Sequence, residues 1–393
     1  MDGNVRRIET EMLELIEKLV NTDSGSYYKK GIDQVGKILC HYFQELGYKI
    51  KTVPQEEYGN HYVIQHPEVS APEILLVAHM DTVFETGTAA LRPFQIKGTR
   101  AYGPGVIDMK ASLVTVIYAL KQLKRANNQA YKHVKIILNS DEEIGSPSSR
   151  ALIESEAAKG IQYALVMEPA RKDGSIVTGR KGNGHYIIEI KGKAAHSGIE
   201  PEKGRSAIQE LAFKIVKLHA LNDHEHGISV NVGMIEGGDA INTISARAVG
   251  HIDVRVATVE QIEEVAHKIE EVCSVSDVVG TKIDLSGNIS RPPMIKNKQI
   301  TELFEIVKEV GKELNMEIKD TKTGGGSDAS FTAAMGIPTI DGLGPIGGNA
   351  HSEKEYLEIP SLMERTELLV KLIHRLVDEK LNKRKDSYIA KSS

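Results

Sequence analysis

Apolar positions recur at helical spacing in residues 5–20, where Ile8, Met12, Leu15, Ile16 and Leu19 share one face, and a second helical pattern runs from about 31 to 46. Beyond these, short apolar runs punctuate the chain. Ile74-Leu75-Leu76-Val77-Ala78, Val134-Lys135-Ile136-Ile137-Leu138 and Tyr163-Ala164-Leu165-Val166-Met167 each read as a buried strand, with helical stretches between them. That alternation predicts an α/β fold with a central, mostly parallel sheet flanked by helices.

Near 175–195 the pattern changes to alternating polar and apolar residues, His185-Tyr186-Ile187-Ile188-Glu189-Ile190, so one face of this strand is expected to meet solvent. From there the order is strand, helix (205–220), strand (228–236), strand (247–256), helix (258–272), strand (281–287). Arg291-Pro292-Pro293 reads as a hinge out of this layer, because paired prolines stop helix and ladder alike. A helix over about 298–315, a glycine run at 324–326, a strand near 338 and a helix from about 360 then restore the α/β texture. The expected organisation is a catalytic domain (1–179 and 294–393) with an inserted α+β domain (180–293). The Lys-rich tail after about 380 is expected to fray.

Composition narrows the function classes. A chain of 393 residues, 40% apolar and 26% charged, with a net charge of −5, is globular and offers no basic block before Lys383-Arg384-Lys385. Nucleic acid is therefore not an expected partner. No apolar run approaches the roughly 20 residues of a membrane span, so no membrane partner is expected. The charged opening, with Arg6, Arg7, Glu9 and Glu11, does not read as a signal peptide, and a cytoplasmic location follows as the expectation. Cys40 and Cys273 sit singly in helical patterns and read as packing residues.

Candidate chemistry clusters where strands end. His79 and Asp81 follow the first apolar strand with a spacing of two, so a metal-ligating imidazole could be oriented by the carboxylate; taken alone, such a pair more often does structural work. Gly103-Pro104-Gly105-Val106-Ile107-Asp108 delivers an acid to a helix start, either as a ligand or as an N-cap. Asp141-Glu142-Glu143 places three acids after another strand, and converging carboxylates call for a cation; a solvated acidic turn is the bland alternative. Glu168 and His351 complete a set of two imidazoles and three carboxylates (His79, Asp108, Glu143, Glu168, His351), a thiolate-free donor set that suits zinc, cobalt or manganese. His224-Glu225-His226 reads as a solvated loop, and His61 and His66 receive no role.

These segments, in this order, resemble the dinuclear zinc aminoacylase and carboxypeptidase family, which includes acetylornithine deacetylase, succinyl-diaminopimelate desuccinylase and bacterial glutamate carboxypeptidase. The resemblance spans nearly the whole chain. It is closest to the glutamate carboxypeptidases, in His79-Met80-Asp81-Thr82-Val83, Ala101-Tyr102-Gly103-Pro104-Gly105, Gly324-Gly325-Gly326-Ser327-Asp328 and His351-Ser352. It implies two Zn2+ per chain, with His79 and Glu168 on one ion, Glu143 and His351 on the other, and Asp108 between them. It implies Asp81 as the residue that orients His79 and Glu142 as general base. The inserted domain resembles a ferredoxin-like lid and dimerisation domain, implying a homodimer in which His196 polarises the scissile carbonyl of a neighbouring site. Asn242, Arg255, Arg291 and Gly325 match positions that hold substrate carboxylates. Without the resemblance, Arg255 reads as a surface strand residue and His196 as a turn residue.

The resemblance implies removal of a C-terminal amino acid, glutamate first, from a small peptide or N-acyl amino acid, because Glu at position 168 goes with carboxypeptidases and deacylases. Deacylation of the acetylornithine type is the second reading. A binding protein that kept its metals without turnover is the third, and the intact Glu142 speaks against it.

Overall fold

Strand Ile74–His79 is buried along its whole length and lies between Val134–Asn139 and Tyr163–Val166, parallel to both. The computed structural model describes residues 3–392, with side chains over 5–378. Around that central trio the sheet continues to six strands in the order 49–53, 61–65, 134–139, 74–79, 163–166, 339–340. Two antiparallel strands edge one side and a parallel one closes the other. A strand with both faces covered has no polar alternation to display, which explains the continuous apolar runs. Helix Ala111–Arg125, with Val114, Ile117 and Leu120 at zero exposure, contributes part of the covering layer.

The chain divides into two compact units. One comprises Met1–Thr178, Lys296–Lys322 and Ser327–Ser393; the other comprises Gly179–Ile295 together with Thr323–Gly326. The glycine run thus clusters with the second unit, although it lies in the third segment of the sequence reading. The first unit also holds a small sheet in the order 347–348, 356–358, 100–102, 95–97, whose two- and three-residue strands the sequence reading did not include.

The second unit runs strand Gly182–Lys191, helix Ala207–His219, strands Ser229–Gly237 and Arg247–Val256, helix Glu260–Ser274 and strand Lys282–Arg291. All pairings in its four-stranded sheet are antiparallel, a ferredoxin-like arrangement. Tyr186, Ile188 and Ile190 pack with Leu211, Leu218, Val265 and Ile269 of the helices, while the intervening His185 and Ile187 face outward. Strand Lys282–Arg291 ends just before the Pro-Pro step, and the second unit continues past it to Ile295, so the chain leaves this unit two residues beyond the expected boundary at 293. The last helix spans Ile359–Ser392, and the fraying expected after about 380 falls on residues whose side chains lie outside the described ones. The side chains of Lys383, Arg384 and Lys385 lie outside the described ones. Among the described residues no helix is long and apolar enough to cross a membrane.

Candidate metal centre

His79 closes its strand level with Asn139 of the neighbouring parallel strand, which places the imidazole and the following acidic turn at the same C-terminal sheet edge. Its Nε2 lies 3.1 Å from Asp108 Oδ1 and 3.6 Å from Glu168 Oε1. The other oxygen of Asp108 lies 3.2 Å from His351 Nε2, which in turn lies 3.1 Å from Glu143 Oε2. Two triads result, His79–Asp108–Glu168 and Asp108–Glu143–His351, each with donor atoms close enough to share an ion, and Asp108 belongs to both.

Long-range pairing builds this geometry. The turn 103–105 follows strand Arg100–Tyr102, which pairs with Tyr356–Glu358, and that strand pairs with Gly347–Gly348. The hairpin between the last two carries His351, whose φ of 62° lies in the left-handed region. Glu355 fixes the Asp108 loop by accepting from the backbone N–H groups of Gly105, Ile107 and Asp108 at 3.0, 2.9 and 3.1 Å. Asp108 itself is non-helical (φ −115°, ψ 91°), and the helix beginning at Ala111 is preceded by Lys110, so the N-cap alternative for Asp108 does not apply. Glu355 escaped the sequence reading because a lone glutamate in a polar stretch carries no periodic or motif signal.

Asp81 is fully buried and has more partners than sequence suggests. Its carboxylate accepts from Ser26 Oγ at 2.7 Å and from the amides of Glu142 and Glu143 at 3.1 Å each. The His79 Nδ1 lies 3.0 Å from the Asp81 carbonyl oxygen and 3.5 Å from its carboxylate, so main chain and side chain together orient the ring. Glu142 is buried at the head of the acidic turn.

The electrostatics of the cluster follow from burial and from its own charges. Burial pushes the Glu168 carboxyl well above its usual range, with Asp108 adding to the shift. Burial also raises Glu143, against the opposing pull of His351. For Asp108 burial acts upward, but hydrogen bonds from His351 and His79 hold it below the ordinary value. Burial would lower His79, yet Asp108 and Asp81 hold it well above normal, and His351 is raised to about 11 by Asp108 and Glu143. The carboxylates therefore compete for positive charge. Among the described residues Glu143 Oε1 is buried without a hydrogen-bond partner, an acceptor that fits a cation better than it fits protein donors.

The remaining sequence-selected residues lie in the second unit. His196 is exposed and bridges to Thr243, while Ser197 donates from its amide and its hydroxyl to the Asn242 carbonyl at 3.0 Å, so the His196 and Asn242 loops are joined. Arg255 forks onto Asp253 at 2.8 and 2.9 Å and reaches the Gly324 carbonyl at 3.4 Å. Arg291 is buried, and its Cδ would lie 3.3 Å from a Cβ built on Gly326. Arg180, absent from the sequence reading, donates to the carbonyls of Gly325 and Gly326 at 3.0 and 3.3 Å. His224 and His226 lie in an exposed loop, with His226 bound to Asp223 at 2.8 Å.

The profile of peptidase family M20/M25/M40 matches residues 75–375. Carboxypeptidase G2 of Pseudomonas sp. (strain RS-16) is 30% identical over 92% of this chain and 88% of its own. Acetylornithine deacetylase of Vibrio campbellii is 30% identical over 62% of this chain and 67% of its own. The M20 family metallo-carboxypeptidase Sso-CP2 of Sulfolobus solfataricus superposes with a TM-score of 0.76 at 18% identity, covering 93% of this chain and 99% of that one, a likeness of fold. The chain is a hydrolytic enzyme and belongs to peptidase family M20/M25/M40.

Proposed function

We propose that this enzyme removes a C-terminal amino acid, glutamate first, from small peptides or N-acyl amino acids, with two zinc ions held by His79, Asp108, Glu143, Glu168 and His351. The observation that carries the reading is the pair of triads sharing Asp108. Their donors fit such ions: three carboxylates and two imidazoles without thiolate, with one buried carboxylate oxygen unpartnered among the described residues. Cobalt or manganese would suit the same donors. When bound, the ions supply Lewis acidity toward the amide carbonyl and acidity toward water.

The protein's own groups supply the rest. Glu142, held by its amide on Asp81, takes the proton from the attacking water and delivers it to the leaving amine. Asp81 and its own carbonyl keep His79 in one orientation. Arg255, Arg291, Asn242 and the Gly325 segment receive substrate carboxylates, and His196 polarises the scissile carbonyl. The guanidinium groups of Arg180 and Arg255 around Gly324–326 support a second unit that recognises anions.

A cavity of about 460 Å3 in the first unit bears on the acyl group. It is lined by Ser26, Tyr27, Tyr28, Phe84 and Glu85 as well as Glu143, and by no lysine or arginine, so it suits a neutral acyl or peptidyl portion and repels a carboxylate. A homodimer through the second unit is supported by Val216, Met234 and Ile235, exposed at 71%, 62% and 63% on one helix and on the edge strand Ser229–Gly237. The buried free thiols Cys40 and Cys273 suit a cytoplasmic setting.

Hydrolysis of paired substrates, glutamate-terminated amides beside acetylornithine and other acyl amino acids, tests the reading with a chelated control. Chelator-sensitive turnover of the glutamate-terminated amides alone supports it. Turnover of the acyl amino acids alone overturns the specificity.

A further inference from the structure

The turn 140–148 carries both Glu142 and Glu143, and a buried histidine outside the metal cluster touches it at both ends. His61 has no exposed surface and begins the strand whose Tyr62 pairs with Leu138, which sets it beside the chain entering the turn. Its Nδ1 lies 3.0 Å from Ser140 Oγ, and its Nε2 lies 2.9 Å from Ser148 Oγ. Ser140 precedes the acidic run and Ser148 follows it.

We infer that His61 is a positioning residue that ties the two ends of the Glu142–Glu143 turn together through its two ring nitrogens. The proton inventory supports this use of both nitrogens. Ser140 donates its hydroxyl to the Gly59 carbonyl, and Ser148 donates to Asp141 Oδ2 at 2.7 Å. Each hydroxyl has one proton, so with both engaged elsewhere the ring would have to donate to each as an imidazolium, whereas burial pushes His61 the other way, toward the neutral ring. A neutral ring has one N–H and meets the second serine only if that hydroxyl turns toward it. The ring holds both ends in either charge state: as an imidazolium it donates to both serines, and as a neutral ring it donates to one and accepts from the other, whose hydroxyl turns toward it. Asp141 reinforces the closure, accepting from the amides of Ser148 and Ser149 at 2.7 and 3.1 Å and from Ser149 Oγ at 2.5 Å. The turn is thus gripped from behind by His61 and Asp141 and from the front by Asp81, which receives the Glu142 and Glu143 amides. A base that must meet a proton within a few tenths of an ångström needs such support.

The catalytic consequence rests on Glu142 being the base, so the test has two readouts. Hydrogen exchange of the 141–149 amides and steady-state kinetics on whichever amide the enzyme turns over are compared for wild type, His61→Ala, His61→Asn and His61→Gln. Asparagine keeps a donor near the Nδ1 position, toward Ser140, and glutamine keeps one near Nε2, toward Ser148. The expected result for His61→Ala is exchange about tenfold faster in the turn alone, kcat lower by at least about tenfold, KM within about twofold, and unchanged metal content. The two amide variants should each recover part of both losses, and they serve as the test if His61→Ala does not fold. Unchanged exchange in the turn, or a loss spread evenly over the sheet that neither amide relieves, would overturn the inference. Faster exchange with unaltered kcat would uphold the tie and count against Glu142 as base.

Discussion

His351 Nε2 lies 3.2 Å from Asp108 Oδ2, and the pairing of Tyr356 with Tyr102 is what brings these distant residues together. The same strand pair carries an ion pair, Arg100 with Glu358 at 2.7 Å, and sets the Arg100 guanidinium 4.1 Å over the Tyr356 ring. Immediately before Tyr356, Glu355 collects three amides of the Asp108 loop. The candidate metal centre therefore depends on a small sheet outside the main one.

Glu355→Ala removes the acceptor of three backbone donors at once, two of them in buried residues, and each buried orphan costs about 1–3 kcal/mol. The variant should lose thermal stability and bind metal at least about tenfold more weakly, as partners behind metal ligands commonly do. Equilibrium dialysis followed by elemental analysis checks it. Wild-type affinity would show that Glu355 does not hold the Asp108 loop in place.

Metal removal should destabilise the first unit. Burial raises Glu143 and Glu168, a sign that their charges lack full compensation from protein groups. Ions that bind the folded state alone stabilise it by about 2.7 kcal/mol at a hundredfold excess over Kd. Scanning calorimetry of chelator-treated protein should give a lower Tm that zinc restores, and an unchanged Tm would weigh against a built metal site.

Much of this centre was legible in the sequence because strand ends are legible. His79, the Asp141–Glu143 acids and Glu168 follow short continuous apolar runs that read as buried strands, and Gly103 and Gly105 mark the turn before Asp108. What stayed hidden is what acts across long sequence distances. Strands of two or three residues, such as Gly347–Gly348, have no periodicity to read. Glu355, Arg180 and His61 look like ordinary polar residues until the fold supplies their partners. The glycine run at 324–326 joins the second unit by tertiary contact, which no composition shift announces.

The second unit should have its own acid limit. Fully buried Lys214 lies 3.0 Å from fully buried Glu210 and 2.6 Å from Asp277. Burial would raise Glu210, but the amides of Val278 and Asp277 and the Lys214 ammonium hold it below the ordinary carboxyl value. A depressed carboxyl contributes stability above its unfolded pKa, near about 4.3, and loses it as pH falls through the folded value. Burial would lower Lys214, yet Asp277 and Glu210 hold it raised, so its contribution is complete below about 10.4 and fades above. Lys214→Ala should cost about 3–5 kcal/mol near neutral pH by leaving Glu210 charged and buried without its cation. Urea melts from neutral pH down through the acid range check this; a loss under about 1 kcal/mol at neutral pH would contradict it.

Arg255→Met should raise KM for glutamate-terminated substrates by about tenfold or more with a smaller effect on kcat, since a carboxylate contact far from the scissile bond is made in ground and transition states alike. Initial-rate kinetics decide. A pure kcat effect would place Arg255 in the chemistry and not in carboxylate recognition.

The role of Glu142 is tested by amide hydrolysis with Glu142→Gln protein whose metal content has been matched to wild type. With Glu142 as base, kcat should fall by about 10²–10⁴, the usual contribution of a general base, with both ions retained. Hydrolysis at a rate near wild type with the metals in place would contradict it.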